Sequence, residues 1–369
     1  MSSTSCETTP CPGEIGVQTS VPQPPQRLLR KVFSPFTVFI IGCAGVLVVG
    51  IGCLGIGPDR SVVPWDPRIL HDVWQGQFDE RAMILFGIRF PRLLLGSLVG
   101  GCLSLSGLVF QGLLQNPLAD PFILGVSGGA GLVAVVLQLL GVHNPLLLTG
   151  GAFLGGISAV FVVERMASLG GRLDRGRLIL AGVVLNAFFG ALIALALVFS
   201  GQDLPRIFAW LMGSLNIPDP TLFKPLGILS LTVAACVWAM SHPLNLLALG
   251  DLHAYHLGLD PDRAKRFALL AASLLTAIAV SLAGMIGFVG MFVPHACRLL
   301  LGSDHRRLVP ASTCLGACLL MVTDTLVRLS PGGVELPVGT VTALFGAPFF
   351  LWLLSSTSRT SWWEGSSKA

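Results

Sequence analysis

The chain has 369 residues, of which 53% are hydrophobic and only 11% charged, and its formal net charge is +4. Soluble domains carry about 25% charged residues, so this composition excludes an ordinary water-soluble protein. The basic residues are scattered between apolar segments rather than gathered in a stripe, which argues against nucleic-acid binding. A single tyrosine leaves too few aromatic girdle residues for a membrane β-barrel. The class that remains is an all-α, polytopic membrane protein.

Apolar stretches recur along the chain and predict about ten transmembrane helices, because each can cross the roughly 30 Å hydrocarbon core of a bilayer. The seventh and eighth stretches are short, and AGMIGFVG (283–290) between them is typical of a turn. The sequence thus predicts a disordered, polar cytoplasmic tail at 1–33, a transmembrane domain at 34–356 and a cytoplasmic tail at 357–369. The predicted spans are 34–57, 91–113, 122–141, 145–164, 178–200, 222–241, 267–283, 286–301, 308–327 and 336–355.

Basic residues test this count, since the cytoplasmic loops of membrane proteins are enriched in Lys and Arg. With ten spans, five basic clusters fall on the same side of the membrane, and removing one span scatters them across both sides. Both termini are therefore predicted to be cytoplasmic. The clusters lie at 27–31, 165–177, 263–266, 298–307 and 359–368.

Two arginines break the charge rule. Arg89 and Arg92, in the sequence RFPR, begin the second span on the side that should be poor in basic residues. One interpretation is interfacial snorkelling of long side chains. The other is that they present positive charge to an acidic partner outside the membrane. Asp324 and Arg328 near the end of the ninth span are four residues apart and can pair with each other.

No sequence motif indicates catalysis, nucleotide binding, a cofactor or a metal site. The chain lacks G-x-x-x-x-G-K-[ST], H-E-x-x-H and G-x-S-x-G. Only His253 and His256 share a helix face, and a metal would need a third ligand. Ionisable groups inside the spans, which would indicate ion coupling, are few. An intramembrane enzyme and a stand-alone ion-coupled carrier are therefore the weaker alternatives.

The most informative polar segment is LNLLALGDLHAYHLGLDPDRAKR, residues 244–266, which predicts two short helices between spans. Asp251 can cap the first helix and Gly258 can end it in the left-handed conformation. Asp260 can cap the second, with Pro261 at its first position. This much local structure on a cytoplasmic loop indicates a docking surface. A transporter with such a surface and no nucleotide site of its own suggests a separate ATPase subunit.

Four segments between Arg89 and Leu354 resemble the iron-chelate and cobalamin family of ABC importer permeases. The resemblance implies the type II importer permease fold with ten spans. It also implies a homodimer with its pathway on the twofold axis, two ATPase subunits and a periplasmic or lipid-anchored substrate-binding protein, all at the cell inner membrane. The four segments are RFPRLLLGSLVGGCLSLSGLVFQGLLQNPLADPFILGVSGGAG, LALGDLHAYHLGL, IGFVGMFVPHACRLLLGSDHRRLVP and ELPVGTVTALFGAPFFLWLL.

The same resemblance assigns roles to individual residues. Arg89, Arg92 and Arg328 correspond to outward arginines that grip glutamates of the binding protein. The fifth span and the residues after it, 178–216, resemble the pathway lining and outer gate. The segment 250–266 carries the coupling helix that contacts the ATPase. The coupling residues are Asp251, Leu252, His253, Ala254, Tyr255, His256, Leu257, Gly258 and Leu259.

The sequence QNPLADP resembles the cytoplasmic turn between the second and third spans. Pro117 and Pro121 end one helix and set the start of the next. Asn116 and Asp120 are expected to shape this turn rather than to bind a ligand.

The substrate is not encoded as clearly, because specificity in this family lies mostly in the binding protein. An iron chelate (a ferric siderophore or haem) is the expected substrate and cobalamin the alternative.

Overall fold

The computed structural model describes residues 34–57, 80–169, 171–216, 220–330 and 336–357. The tail predicted at 1–33, and all but the first residue of the tail predicted at 357–369, lie outside this part of the chain. The helices are α1 Pro35–Gly55, α2 Phe90–Leu114, α3 Val126–Leu139, α4 Pro145–Ala167, α5 Arg175–Val198, α6 Leu204–Leu211, α7 Pro220–Ala239, α8 Ser241–Ala248, α9 Asp251–His256, α10 Pro261–Ala283, α11 Val289–Leu301, α12 His305–Arg328 and α13 Val338–Thr357.

Shorter elements connect these helices. A helical turn, Glu80–Ala82, and a π-helix, Met83–Arg89, lead directly into α2. Two 3₁₀ turns, Pro121–Leu124 and Gly201–Asp203, precede α3 and α6. The strands β1 Ser168–Leu169 and β2 Arg172–Leu173 pair antiparallel between α4 and α5.

Ten of the helices match the ten predicted spans in order. Among the described residues, seven helical segments are long and apolar enough to cross a membrane. Three further apolar helices are shorter: α3, α11 and the Val338–Phe349 part of α13. The prediction of an all-α membrane protein with about ten membrane helices is confirmed.

The prediction that the seventh span is short is wrong. Helix α10 has 23 residues, because it starts at Pro261 and not at residue 267, where the predicted span begins. The Asp260 side chain accepts hydrogen bonds from the backbone N–H groups of Asp262 and Arg263, and so fixes this earlier start. The next helix, α11, has 13 residues and is short as expected. The predicted turn lies between α10 and α11.

Helix α2 forms the centre of the bundle and packs against α10, α11 and α12. Its glycines allow this close approach, because a Cβ on Gly100 would collide with the carbonyl of Gly316, and one on Gly107 with the carbonyl of Gly290. Small hydroxyl side chains add hydrogen bonds across the interfaces. The Ser104 hydroxyl donates to the backbone carbonyl of Ser312 at 2.8 Å. Small residues at helix interfaces are typical of membrane bundles.

The bundle has two chemically different ends. At one, here called the basic end, Arg266 donates to the carbonyl of Gly171, and the Trp238 indole donates to the carbonyl of Arg306. Phe39, near the start of α1, stacks on Trp238. Arg175 donates to Gln115, whose amide donates to the carbonyl of Leu247 in α8. Asn245, also in α8, donates to Asp304. The three basic clusters that the structure describes therefore lie at the same end, and α1 begins there. The far end holds Arg89, where α1 finishes.

Candidate partner-docking surfaces

A short helix lies at the basic end between two glycines in the left-handed region. Gly250 has a φ of +100° and Gly258 a φ of +85°, conformations that glycine adopts readily because it lacks a Cβ. Helix α9 lies between them. The predicted capping role of Asp251 is wrong, because Gly250 occupies the N-cap and Asp251 is the first residue of the helix. The expected roles of Asp260 and Pro261 at the start of α10 are confirmed.

Helix α9 presents apolar side chains outward. Ala254 is fully buried and holds the helix against the bundle, while the side chains around it point away. His253 and His256 are both exposed as well, and Leu259 is half-buried. An exposed group of large apolar residues indicates an interaction site. This apolar patch consists of Leu249, Leu252, Tyr255 and Leu257, which are 60%, 67%, 68% and 61% exposed.

Asp251 anchors the patch to the bundle. One carboxylate oxygen accepts from Arg175, the first residue of α5, at 2.7 Å. The other accepts from Lys265, in the first turns of α10, at 2.8 Å. The residue that the sequence assigned to a local cap thus joins α9 to two long helices.

The predicted turn after α2 is built by its own polar side chains. Gln115 ends the helix in the left-handed conformation with a φ of +50°. The Asn116 side chain accepts from the N–H of Leu118, and the Asp120 side chain accepts from the N–H of Phe122. Pro117 is exposed, and Pro121 is the first residue of the 3₁₀ turn.

The Asp120 carboxylate also lies in a poorly hydrated position. Burial raises its pKa to about 6, although hydrogen bonds from the backbone N–H groups of Phe122 and Phe288 lower it. Its contacts are those of a residue that shapes the turn.

Three arginines with buried side chains lie at the far end: Arg89 in the π-helix, Arg92 in α2 and Arg328 in α12. Arg89 and Arg92 are 3% and 7% exposed, and the Arg328 side chain is 7% exposed. Their expected role in docking a binding protein stays a prediction, since this burial describes the chain without a partner. They lie between α1, α2 and α12, where a guanidinium group requires polar partners.

A single carboxylate serves two of these arginines. Arg92 donates to Asp324 through Nη2 at 3.0 Å, and Arg328 donates to the other oxygen of Asp324 through Nε at 3.0 Å. The pairing of Asp324 with Arg328 is thus confirmed. Arg89 donates to the carbonyl of Leu54 at 3.1 Å. Within the described part of the chain, Nη1 of Arg328 is buried and has no hydrogen-bond partner, so this cluster retains an open donor.

The segment expected to line the pathway is exposed along most of its length. Helix α5 buries only Leu178, Ala181 and Gly182, all near its start. Farther along, Val184 and Phe188 are 54% and 57% exposed. Within this chain, α5 beyond its first two turns therefore has few packing partners and is free to face another surface.

Sequence reasoning missed two residues at the basic end. Arg175 and Lys265 were grouped only as cytoplasmic charge, although both contact Asp251. The available signal was the pair Asp262 and Lys265, three residues apart at the start of a helix, which form an ion pair at 3.3 Å. The contact of Arg175 with Asp251 had no local signal.

Apolar helices joined into one bundle, with an exposed helix at one end and buried arginines at the other, define a polytopic membrane permease. The chain belongs to the FecCD transport family, whose profile matches residues 35–356. It is therefore a permease of the ABC importer class.

Relatives of known designation support this assignment. The cobalamin import system permease protein BtuC of Halobacterium salinarum is 42% identical over 298 residues, covering 79% of each chain. The hemin transport system permease protein HmuU of Yersinia pestis is 40% identical over 279 residues, covering 73% of this chain and 83% of the relative. The Fe(3+) dicitrate transport system permease protein FecD of Escherichia coli is 38% identical over 307 residues, covering 82% and 94%.

A solved structure shows the same architecture. The inward-facing conformation of a metal-chelate type ABC transporter superposes with a TM-score of 0.74 at 30% identity, covering 86% of this chain and 99% of that one.

Proposed function

We propose that this chain is the transmembrane subunit of an ATP-driven importer that moves an iron chelate, either a ferric siderophore or haem, across the cytoplasmic membrane. Two copies form the pathway, two ATPase subunits bind the basic end, and a periplasmic or lipid-anchored binding protein delivers the substrate to the far end. Both termini lie in the cytoplasm. The observation that carries the proposal is the exposed apolar patch on α9, at the basic end of a chain whose sequence contains no nucleotide-binding motif.

The names of the relatives support a metal chelate as the substrate class. Their names specify cobalamin, hemin and ferric dicitrate, which are all metal chelates. Identities of 42%, 40% and 38% are too similar to select among them. Cobalamin therefore remains the alternative substrate to an iron chelate.

A stand-alone ion-coupled carrier has weaker support. Such a carrier needs an ionisable group inside the membrane that binds and releases the ion. Asp324, a fully buried carboxylate in the described part of the chain, already accepts from two arginines. Its charge is compensated, so it serves structure or docking rather than ion coupling.

Uptake into proteoliposomes tests the proposal. The chain is reconstituted with its ATPase and binding protein, and uptake of haemin, ferric citrate and cobalamin is measured with ATP inside the vesicles. We expect one of them to accumulate, and the accumulation to stop when ATP hydrolysis is blocked by a catalytic variant of the ATPase. Uptake that survives this block but collapses with an uncoupler would instead establish an ion-coupled carrier.

The far-end arginines form the proposed docking site for the binding protein. Arg92 and Arg328 share one carboxylate, and Nη1 of Arg328 lacks an acceptor within the described residues. A carboxylate from a partner would supply that acceptor. Charge-assisted Arg–carboxylate bonds are strong and directional, and opposite charge also accelerates encounter.

A further inference from the structure

Four separate stretches of the chain meet around Asp251 and Arg175. They are the end of α2, the start of α5, the helix α9 and the start of α10. We call this meeting point the basic junction, defined by Leu113, Gln115, Arg175, Asp251 and Lys265. It lies directly behind the apolar patch, since Asp251 is the first residue of α9 and Leu252 follows it.

Arg175 contacts three acceptors on two other elements at once. Its Nε donates to the carbonyl of Leu113 at 2.8 Å, and its Nη1 donates to the side-chain oxygen of Gln115 at 2.8 Å. Its Nη2 donates to Asp251 at 2.7 Å. One side chain at the start of α5 therefore holds the end of α2 and the start of α9 together.

Lys265 and Gln115 complete the junction. The Lys265 ammonium is 4% exposed and donates to Asp251 at 2.8 Å and to the carbonyl of Leu173 at 3.0 Å. The Gln115 amide donates to the carbonyl of Leu247 in α8 at 3.0 Å. Hydrogen bonds therefore hold the segment of the apolar patch on both sides of Gly250, at Leu247 before it and at Asp251 after it.

The chemistry of Arg175 suits this position and that of lysine does not. A guanidinium is a planar fork with donors in several fixed directions, whereas an ammonium is a single point of charge. Leu113 lies in the last turn of α2, where carbonyls lack a helical N–H and carry partial negative charge. Arg175 meets this carbonyl, an amide oxygen and a carboxylate in three directions.

We infer that Arg175 is a positioning residue that transmits movement of α9 to the end of α2 and the start of α5. The inference rests on the proposed function, in which an ATPase subunit pushes on the apolar patch. Because the three contacts of Arg175 are short and reach both α2 and α9, displacement of α9 either carries α2 and α5 with it or breaks these bonds. α5 is the helix expected to line the pathway, so Arg175 connects this movement directly to the substrate route.

The test compares substitutions of Arg175 in the assembled importer. Arg175→Met removes all three donors, Arg175→Lys retains the charge alone, and Arg177→Met is the matched control at an exposed arginine of the same helix. The measurement is the number of substrate molecules taken up per ATP hydrolysed, using whichever of haemin, ferric citrate and cobalamin the wild type transports. ATPase binding is measured by co-purification.

We expect both Arg175 variants to bind the ATPase and hydrolyse ATP while uptake per ATP falls about fivefold or more, a typical size for coupling between sites. The control keeps the wild-type ratio. Asp251→Asn is expected to lower the ratio as well, and the double variant Arg175→Met with Asp251→Asn to be no worse than the poorer single variant, since both act through one contact.

Two results would overturn the inference. If Arg175→Lys takes up as much substrate per ATP as the wild type, the positive charge alone is sufficient for coupling and the fork of donors is not needed. This variant decides the question even if Arg175→Met fails to assemble. Additive losses in the double variant show that Arg175 and Asp251 act separately. If the wild-type chain binds no ATPase, or ATP drives no uptake, the proposed function itself fails. Because this result is read from the wild type alone, it is distinct from a failure of the inference about Arg175.

Discussion

At the scale of single residues, the buried arginines of the far end have the most direct consequence for function. Their side chains lie between helices, where one carboxylate, Asp324, serves both Arg92 and Arg328, and Nη1 of Arg328 has no acceptor within the described residues. A partner that offers carboxylates would therefore gain charge-assisted bonds, and the arginines would turn toward it or receive it between the helices.

Substitution of these arginines is expected to weaken binding-protein docking. Arg89→Glu reverses one charge of the cluster, and Arg328→Gln removes the open donor without placing a second carboxylate beside Asp324. Loss of a charge-assisted contact at an interface costs about 2–5 kcal/mol, so we expect stimulation of ATPase activity by the binding protein to require at least tenfold more of that protein.

The control for this experiment is Arg81→Glu, at an exposed arginine in the helical turn that precedes α2. Its stimulation curve should match that of the wild type, and all variants should retain ATPase binding. Unchanged stimulation in both Arg89→Glu and Arg328→Gln would remove the docking role.

Asp120 illustrates how one residue can combine two opposed effects. Its carboxylate forms the cap bond to Phe122, but its pKa of about 6 in the folded chain lies above the usual value of about 3.9. Folding therefore favours the protonated form, and the free energy of unfolding decreases as the pH rises from about 4 to about 6. Above that range the destabilisation is constant.

The substitution Asp120→Asn keeps the acceptor oxygen and removes the charge. We expect it to raise the midpoint of thermal unfolding in detergent at about pH 7.5, and this gain to shrink as the pH falls below about 6. Asp120→Ala removes the cap as well as the charge, so it should lower the midpoint near pH 4, where Asp120 is protonated, because such caps contribute about 1 kcal/mol. Identical pH dependence in wild type and Asp120→Asn would show that the buried charge does not limit stability.

At the scale of elements, α9 is a helix of only 6 residues that the surrounding structure holds in place. Isolated helices of this length are unstable in water. The left-handed glycines at 250 and 258 set its limits, and Asp251 bonds it to α5 and α10. Its stability therefore comes from tertiary contacts, which suits the proposed role of passing force to the bundle.

A charge within the apolar patch is expected to disrupt ATPase binding. Leu252→Asp or Tyr255→Asp places a carboxylate where an apolar side chain would be desolvated by the partner. Central interface residues contribute about 2 kcal/mol or more, so the dissociation constant should rise roughly thirtyfold. Affinity is measured between the purified permease and its ATPase in nanodiscs. Arg263→Gln, at an exposed position of α10, is the control, and wild-type affinity in both patch variants would exclude this surface.

At the scale of the whole molecule, α2 connects the two candidate docking surfaces. Arg92 lies in its first turn and pairs with Asp324 at the far end, while the carbonyl of Leu113 in its last turn accepts from Arg175 at the basic end. The helix has 25 residues and is buried along most of its length. Such a rigid, central helix can relay a displacement from one end of the bundle to the other.

The exposed side of α5 provides the test of the pathway. Val184→Cys and Phe188→Cys are expected to react with a membrane-impermeant maleimide in the assembled importer, at rates that change when ATP binds, because a water-accessible pathway exposes them. Leu47→Cys on α1, which is 66% exposed at a position expected to face lipid, should not react above the wild-type background. Equal reaction of all three positions, or of none, would place α5 outside the pathway.

The local features of the chain were predictable because their causes lie close together in sequence. Apolar runs identified the membrane helices, and Asp260 with Pro261 identified the start of α10. The span at 267–283 was predicted too short because an apolar window ignores a polar first turn. Asp251 was misassigned because it can cap a helix locally, whereas in the structure its carboxylate pairs with Arg175 and Lys265 on other helices.

The sequence by itself therefore determined the class of protein, the order of its roughly ten membrane helices, and which polar segment forms the short exposed helix α9. Only the tertiary structure decided that Arg92 pairs with Asp324, 232 residues away, and that Arg175 joins Asp251, 76 residues away. The physical reason is that helices and caps depend on neighbouring residues, whereas a buried ion pair exists only where packing brings two distant helices together and removes the water between them.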